Sequence, residues 1–344
     1  MPASSVVAPD EQPVVEVTFV PAGGGQLRSG GLGDLEAWRE RGDGFVWLHA
    51  DACDDELAAV LRDQLGTHPQ AVQAMQERSH LPTFHGYPDA WFVVTHRPLL
   101  RRRAGHVHLL QLAALVRDDV LVTVHGPHSA EVTDDEVRHD TDGLRRRLAA
   151  ARLTPRSPSE LAHALFAALA RTHEAILSTI ATRVADLEQE VMTADFRRPE
   201  DLSDRMFLVR HELMTIRTMS GDVDEVFDRM ASLQVRPPFN DHALYADLAD
   251  RFRRVRAISD GEREFLAGII DYYETRMNTK MTIAMERLAV LAAVTLPITA
   301  LASVYGMNVI VNDRTEWVQL IVALAVMLVI SGVLLRWTKR QGWW

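Results

Sequence analysis

The sequence predicts an α+β domain at the N-terminal end, a long helical stalk after it, and two C-terminal transmembrane helices. Three observations carry this architecture. β-like segments are confined to the first part of the chain, helical periodicity replaces them after Pro158, and two long apolar runs stand near the end. The expected boundaries are 1–153 for the α+β domain, 154–287 for the stalk, 288–308 for the first span, 309–316 for an external loop, 317–337 for the second span and 338–344 for a basic tail. A chain of 344 residues exceeds one usual soluble core, which fits two folding units, one of them in lipid.

Residues 14–20 alternate weakly between apolar and polar, and 45–49 (FVWLH) form a short β-like run. Residues 90–95 and 120–125 are rich in β-branched and aromatic side chains, so all four segments are expected strands. Residues 109–117 are expected to pair antiparallel with 120–125 across Asp118-Asp119. Between the strands, Leu57, Val60, Leu61 and Leu65 follow an acidic start at helical spacing, which predicts a helix over 54–65. These patterns leave the strand order open.

Leu161, Leu165, Leu169, Ile176, Ile180, Val184, Leu187 and Val191 lie close to one stripe, which predicts a helix over 159–193. Pro199 is placed to open the next helix, expected to run to about Leu233, and Pro237-Pro238 closes the connection. No further proline occurs until Pro297. A helix from Asp241 to Tyr305 would hold 65 residues and extend about 98 Å at ~1.5 Å per residue, far beyond a globular helix. It reads either as a coiled-coil stalk or as a helix that continues through a membrane.

Residues 288–305 (LAVLAAVTLPITALASVY) contain no ionisable group except the Tyr305 phenol and are about long enough for a bilayer core. Residues 318–335 (VQLIVALAVMLVISGVLL) repeat the pattern between Trp317 and Trp337, where aromatic rings favour the interface. The short stretch between them makes the spans a hairpin. Arg276, Lys280 and Arg287 precede the first span, and Arg336, Lys339 and Arg340 follow the second, so both termini are expected in the cytoplasm of a multi-pass protein of the cell membrane. Two helices cannot enclose a water-filled path, so any transport requires several copies around an axis.

The formal net charge of −10 argues against nucleic acid as a partner. The arginine groups 101–103 and 145–147 read as solvated faces. Cys53 is the single cysteine, which excludes an intrachain disulfide and a thiolate zinc cluster. Residues 1–13 do not resemble a secretory signal. No Gly-rich phosphate loop, nucleophile elbow or His-Glu-x-x-His pattern is present, so no enzyme is expected. A membrane-anchored coiled-coil structural or signalling protein is the competing class.

Tyr305-Gly306-Met307-Asn308 stands directly after the first span, and His68-Pro69 and 245–250 (YADLAD) add matches upstream. With the C-terminal hairpin, Pro297 inside the first span and the long proline-free helix, the chain resembles the CorA family of two-span divalent-cation transporters almost throughout. The resemblance implies a funnel-shaped homopentamer in a lipid membrane, with the first span lining a pore for hydrated Mg²⁺, Co²⁺ or Ni²⁺. It places the selectivity filter at Gly306, Met307 and Asn308. Reading back from Asn308, the expected pore face carries Ser303, Thr299, Leu296, Ala292, Met285, Thr282 and Asn278, and further out Glu274 and Asp271. Met285 with Leu288 or Ala289 is expected to form an apolar collar that closes by dewetting. Asp313 and Glu316 are expected to draw cations to the outer mouth.

Asp247 and Asp250 match the stalk side of the family's regulatory Mg²⁺ site, but Gln70-Ala71-Val72-Gln73-Ala74 lacks the acids that usually face it. Leu81-Pro82-Thr83 also stands where the family has Arg-Pro-Lys. These departures leave a ZntB-like zinc transporter as the alternative. His106 and His108 on one strand side, with His125 and His128 at a turn, are candidate imidazole ligands for it. No cofactor is expected beyond the transported ion, Mg²⁺ first and Zn²⁺ second.

Overall fold

The computed structural model describes residues 14–101, 107–193, 199–232, 241–309 and 317–340. The chain divides into two compact units, the first ending at Ala267 and the second beginning at Gly268.

The elements in chain order are β1 (Val15–Pro21), β2 (Arg28–Gly30), α1 (Leu35–Arg39), β3 (Gly44–Ala50), α2 (Asp55–Asp63), α3 (Pro69–Gln76), β4 (Thr83–Gly86), β5 (Trp91–Leu100), β6 (Val107–Val116), β7 (Val120–His125), α4 (Asp134–Ala149), α5 (Pro158–Thr193), α6 (Pro199–Ser232), α7 (His242–Val309) and α8 (Trp317–Arg340). The strands form a seven-stranded sheet in the order β2-β1-β3-β7-β6-β5-β4. Neighbours are antiparallel except β3 and β7, which run parallel with Val46 opposite Val120 and Ala50 opposite Val124. A hairpin cannot join parallel strands. Everything from α2 to β6 is therefore the crossover that brings β7 beside β3.

The expected hairpin is present, with Val116 opposite Leu121 and the Arg117 N–H donating to the Val120 carbonyl. The helices expected over 54–65, over 159–193 and from Pro199 are present as α2, α5 and α6. Asp54 caps α2 by accepting from the Leu57 N–H at 2.8 Å.

Alternation along the strands sorts the sheet into two cores. Phe45, Trp47, Trp91, Val93, Leu112 and Leu121 face α4, α5, α6 and the first turns of α7. Val46, Leu48, Phe92, Val94, Leu115 and Val122 face the other way, onto α1, α2 and α3. Tyr245, Leu248, Ala249 and Phe252 of α7 are buried in the first core, each full burial of a Leu or Phe side chain contributing roughly 1.5–3 kcal/mol. Trp91 and Tyr245 meet edge to face at 5.7 Å.

Four described histidines are buried, His49, His96, His125 and His173, and burial is the main cause that lowers the pKa of each. Thr123 Oγ1 accepts from the Trp47 indole N–H and stands 2.9 Å from His49 Nδ1, and the His49 and His125 rings meet edge to face at 5.2 Å. His173 lies against Phe252 and is 3.0 Å from the Leu169 carbonyl through Nδ1. Burial pushes the pKa of His125 down to about 3 and that of His173 to about 4, and it holds His49 well below the usual imidazole range.

The unfolded chain takes up these protons near pH ~6.5 while the folded chain does not, so stability is full above that pH and falls as pH drops below it. Between pH 7 and 5 each of His49, His125 and His173 should remove up to about 2 kcal/mol. Thermal melts of the detergent-solubilised protein should show a lower midpoint at pH 5, and His173→Phe should flatten the dependence. Identical midpoints at the two pH values for the unmodified protein would contradict neutral burial.

Candidate functional site

α7 holds 68 residues with Pro297 in its interior and continues without interruption to Val309. Pro297 has no N–H for the Ala293 carbonyl, so continuity there rests on the neighbouring turns. α7 carries an apolar segment long enough to cross a membrane, and very little of it is buried within the protein. From Leu288 to Ser303 the helix carries no charge.

Exposure along this segment is two-sided. Asn278, Thr282, Met285, Leu288, Ala292, Leu296, Thr299 and Ser303 are all exposed. Val290 is buried, and Ala293, Val294, Pro297, Ile298 and Leu301 are partly buried. At about 100° per residue the first group spans an arc of roughly 120°, and the second is centred on the far side. The face expected to line a path is therefore the one that the protomer leaves open.

Thr282 Oγ1 donates to the Asn278 carbonyl at 2.9 Å, and Thr299 Oγ1 donates to the Thr295 carbonyl at 2.8 Å. Each hydroxyl spends its hydrogen on its own helix, which leaves only oxygen lone pairs to offer outward. Such oxygens suit the outward hydrogens of a hydrated cation.

Gly306, Met307 and Asn308 form the last turn of α7. Asn308 departs from the stripe expected in the sequence, because it stands five residues beyond Ser303 and so about 140° round the helix. Gly306 and Met307 fall within or at the edge of the stripe's arc. The last four carbonyls of the helix have no intrahelical partner, and the macrodipole is negative at this end. Asp313 and Glu316 lie outside the described residues.

In the first unit, Asp247 accepts from His163 Nε2 at 2.9 Å and from Arg251 Nε at 2.8 Å. The Arg251 hydrogen bond is the main cause that lowers its pKa, with His163 adding to it. Asp250 accepts from Arg253 at 2.7 Å, and Arg253 also reaches Asp224 and Asp228. Both candidate metal carboxylates thus have cationic partners within the chain. The 245–250 segment divides by helical spacing, with Tyr245, Leu248 and Ala249 entering the core, Ala246 exposed and the two aspartates facing these partners.

His68 and Pro69 start α3. His68 Nδ1 accepts from the Gln70 N–H at 3.3 Å, its ring stacks on Tyr87 at 4.9 Å, and Pro69 takes the first helical position. Gln73 donates to Glu77 at 2.9 Å. Of the histidines proposed as zinc ligands, His106 lies outside the described residues, His125 is buried in β7, and His108 and His128 line one small cavity and face Glu131 and Asp134 at 4.0 and 3.5 Å. Among the described residues no three His, Cys, Asp or Glu side chains gather as a metal site. The partners His163, Arg251 and Arg253 were missed in the sequence, although the i,i+4 spacing of Asp247 and Arg251 is visible there.

The model of the family described as "CorA-like Mg2+ transporter protein" matches residues 42–340. The chain is 22% identical over 315 residues to the "Putative metal ion transporter YfjQ" of Bacillus subtilis, covering 87% of this chain and 90% of that one. It is 25% identical over 187 residues to the "Cobalt/magnesium transport protein CorA" of Thermotoga maritima, covering 53% and 52%. The fold resembles the complete structure of the CorA magnesium transporter from Methanocaldococcus jannaschii with a TM-score of 0.76 at 16% identity, over 96% of this chain and 99% of that one.

The stripe is open to direct chemical test because Cys53, the single cysteine, is buried and its thiol pKa is pushed up by burial to about 11. In proteoliposomes, Thr299→Cys and Ser303→Cys should react with a water-soluble methanethiosulfonate at least about tenfold faster than Val290→Cys. Faster labelling at position 290 would reverse the assignment of the faces.

Proposed function

We propose a function from one premise: the chain belongs to the CorA-like Mg2+ transporter protein family. It is a divalent-cation channel of the cell membrane that passes hydrated Mg²⁺, with Co²⁺ and Ni²⁺ as further ions, through a homopentameric pore. The division of the chain is the one expected from the sequence at 153, 287, 308, 316 and 337, with 288–308 and 317–337 as the spans and both termini cytoplasmic. The observation that carries the reading is the uncharged, exposed stripe from Asn278 to Ser303, with threonine oxygens turned outward.

A bare dication is intolerably expensive in that stripe, since small divalent ions dehydrate reluctantly. The ion crosses with its water. Thr282, Thr299 and Ser303 accept hydrogen bonds from the hydration shell, and Met285 and Leu288 close the narrow end by dewetting. Gly306, Met307 and Asn308 form the entrance, where the free carbonyls at the helix end and the Asn308 amide oxygen hold the hydrated ion from the rim. Asp313 and Glu316 raise the cation concentration outside.

Asn308→Ala should leave folding and insertion nearly intact while removing most Mg²⁺ flux into liposomes. Flux of every tested divalent ion at the unmodified rate through a well-folded Asn308→Ala protein would falsify the entrance assignment. Zn²⁺ flux in place of Mg²⁺ would assign the pore to zinc instead.

Regulation follows from Asp247. Its charge is already met by Arg251 and His163, and Gln73 and Ala74 offer no opposing carboxylate. Millimolar Mg²⁺ on the cytoplasmic side should therefore inhibit flux less steeply than in relatives that keep both acidic partners. Steep inhibition abolished by Asp247→Ala alone would show that another ligand has taken the place of the missing acids.

A further inference from the structure

A cleft of about 1120 Å³ opens between β5, α4 and α5 in the first unit, and none of its lining belongs to the cation path. Five arginines, Arg97, Arg146, Arg147, Arg171 and Arg183, line it against two carboxylates, Asp140 and Asp186. Arg97 pairs with buried Asp140 at 3.2 Å, and Arg183 pairs with buried Glu212. Arg146, Arg147 and Arg171 form no ion pair among the described residues. With five guanidiniums against two carboxylates, the lining carries an excess of positive charge in a chain whose net charge is −10. Burial, then the neighbouring Arg147 and Arg251 guanidiniums, push the pKa of Arg171 down.

Part of the wall is apolar: Leu99, Leu100 and Ile176 are partly exposed in the lining, with Leu144 buried behind them. Gly143, also in the lining, sits inside α4 where glycine is disfavoured, and its φ is not positive. A Cβ there would meet only the Arg146 guanidinium, at 4.0 Å. Neither backbone conformation nor packing demands the glycine, and its effect is to keep the wall of the cleft bare.

We propose that this cleft binds a soluble organic polyphosphate of the nucleotide class. Planar guanidiniums match phosphate oxygens in pairs, so Arg146, Arg147 and Arg171 receive the polyphosphate. The apolar wall receives the organic ring system. The cleft is of the size that takes a whole small ligand and far larger than a single phosphate needs.

The test is calorimetric titration of the full-length, detergent-solubilised oligomer with ATP in Mg²⁺-free buffer. Saturable binding is expected. It should weaken at least about tenfold in the Arg147→Gln/Arg171→Gln double variant, and comparably in Gly143→Leu, which fills the cleft and leaves every charge in place. Adenosine should bind far more weakly than ATP. Absence of saturable ATP binding to a monodisperse oligomer overturns the proposal, as does undiminished binding in both variants. Tripolyphosphate bound as tightly as ATP, or a soluble short-chain phosphoinositide bound more tightly, overturns the nucleotide assignment. None of these outcomes depends on ion flux.

Discussion

The burial of the first turns of α7 against the sheet and its covering helices is the interaction on which the rest of the structure depends. Tyr245, Leu248, Ala249 and Phe252 occupy an i, i+3, i+4, i+7 stripe inside the first core, so the start of the helix is fixed by contacts that cannot be loosened one at a time. A helix of 68 residues has no such support along its later turns, where most side chains are exposed within the protomer. Its apolar, uncharged stretch cannot rest in water at that exposure. Lipid is the surrounding that suits it, and in the proposed pore the helix that begins as part of a folded core ends as a wall.

Along that wall, polar groups are arranged by what they keep rather than by what they offer in isolation. A free hydroxyl is both donor and acceptor, and beside a hydrated cation the donor half is mismatched because the shell presents hydrogens. Thr282 and Thr299 resolve this by giving their hydrogens to the carbonyls one turn back. The same bond is made off the stripe by Thr275, Thr279 and Thr295, and in α5 and α6 by Thr179, Thr182, Thr193 and Thr215, so it is the ordinary habit of a helical threonine that the stripe turns to use. No charge is needed, and none is present between Arg287 and Ser303.

Much of the fold was legible in the sequence because its elements are long or strongly patterned. The β6–β7 hairpin and the helices after Pro158 each carry a period that few alternatives share. β2 and β4 have three and four residues, too few for a period to register, and they lie at the two edges of the sheet. α4 was not read in the sequence: Thr133 and Glu136 form a capping box in which each satisfies the other's backbone N–H group, but the polar interior of the helix obscures its apolar stripe. The parallel β3–β7 pair could not be read, since nothing local records which strands meet after a long crossover. The site was legible as composition and less so as geometry. Arg145 is not a freely solvated residue: it pairs with Glu16 and lies over Trp47, while Arg146 and Arg147 turn to the cleft. Successive side chains stand about 100° apart on a helix, so this arginine run divides between two surfaces.

In the proposed pore, Asn308 and the stripe serve one path without sharing a face. Had the asparagine continued the Asn278–Ser303 line, its amide would stand inside a column of side chains, and the ion would meet it only after entering. At the last turn of α7 it stands about 140° from that line, beside carbonyls that have no helical partner. A helix C-terminus collects acceptors from backbone and side chain at one level, and its dipole adds negative potential without a titratable group. In the proposed homopentamer, an acceptor ring of this kind holds the water around a cation firmly enough to recognise it. Because every member is neutral, release into the hydroxyl-lined stretch below requires no carboxylate to give up its charge.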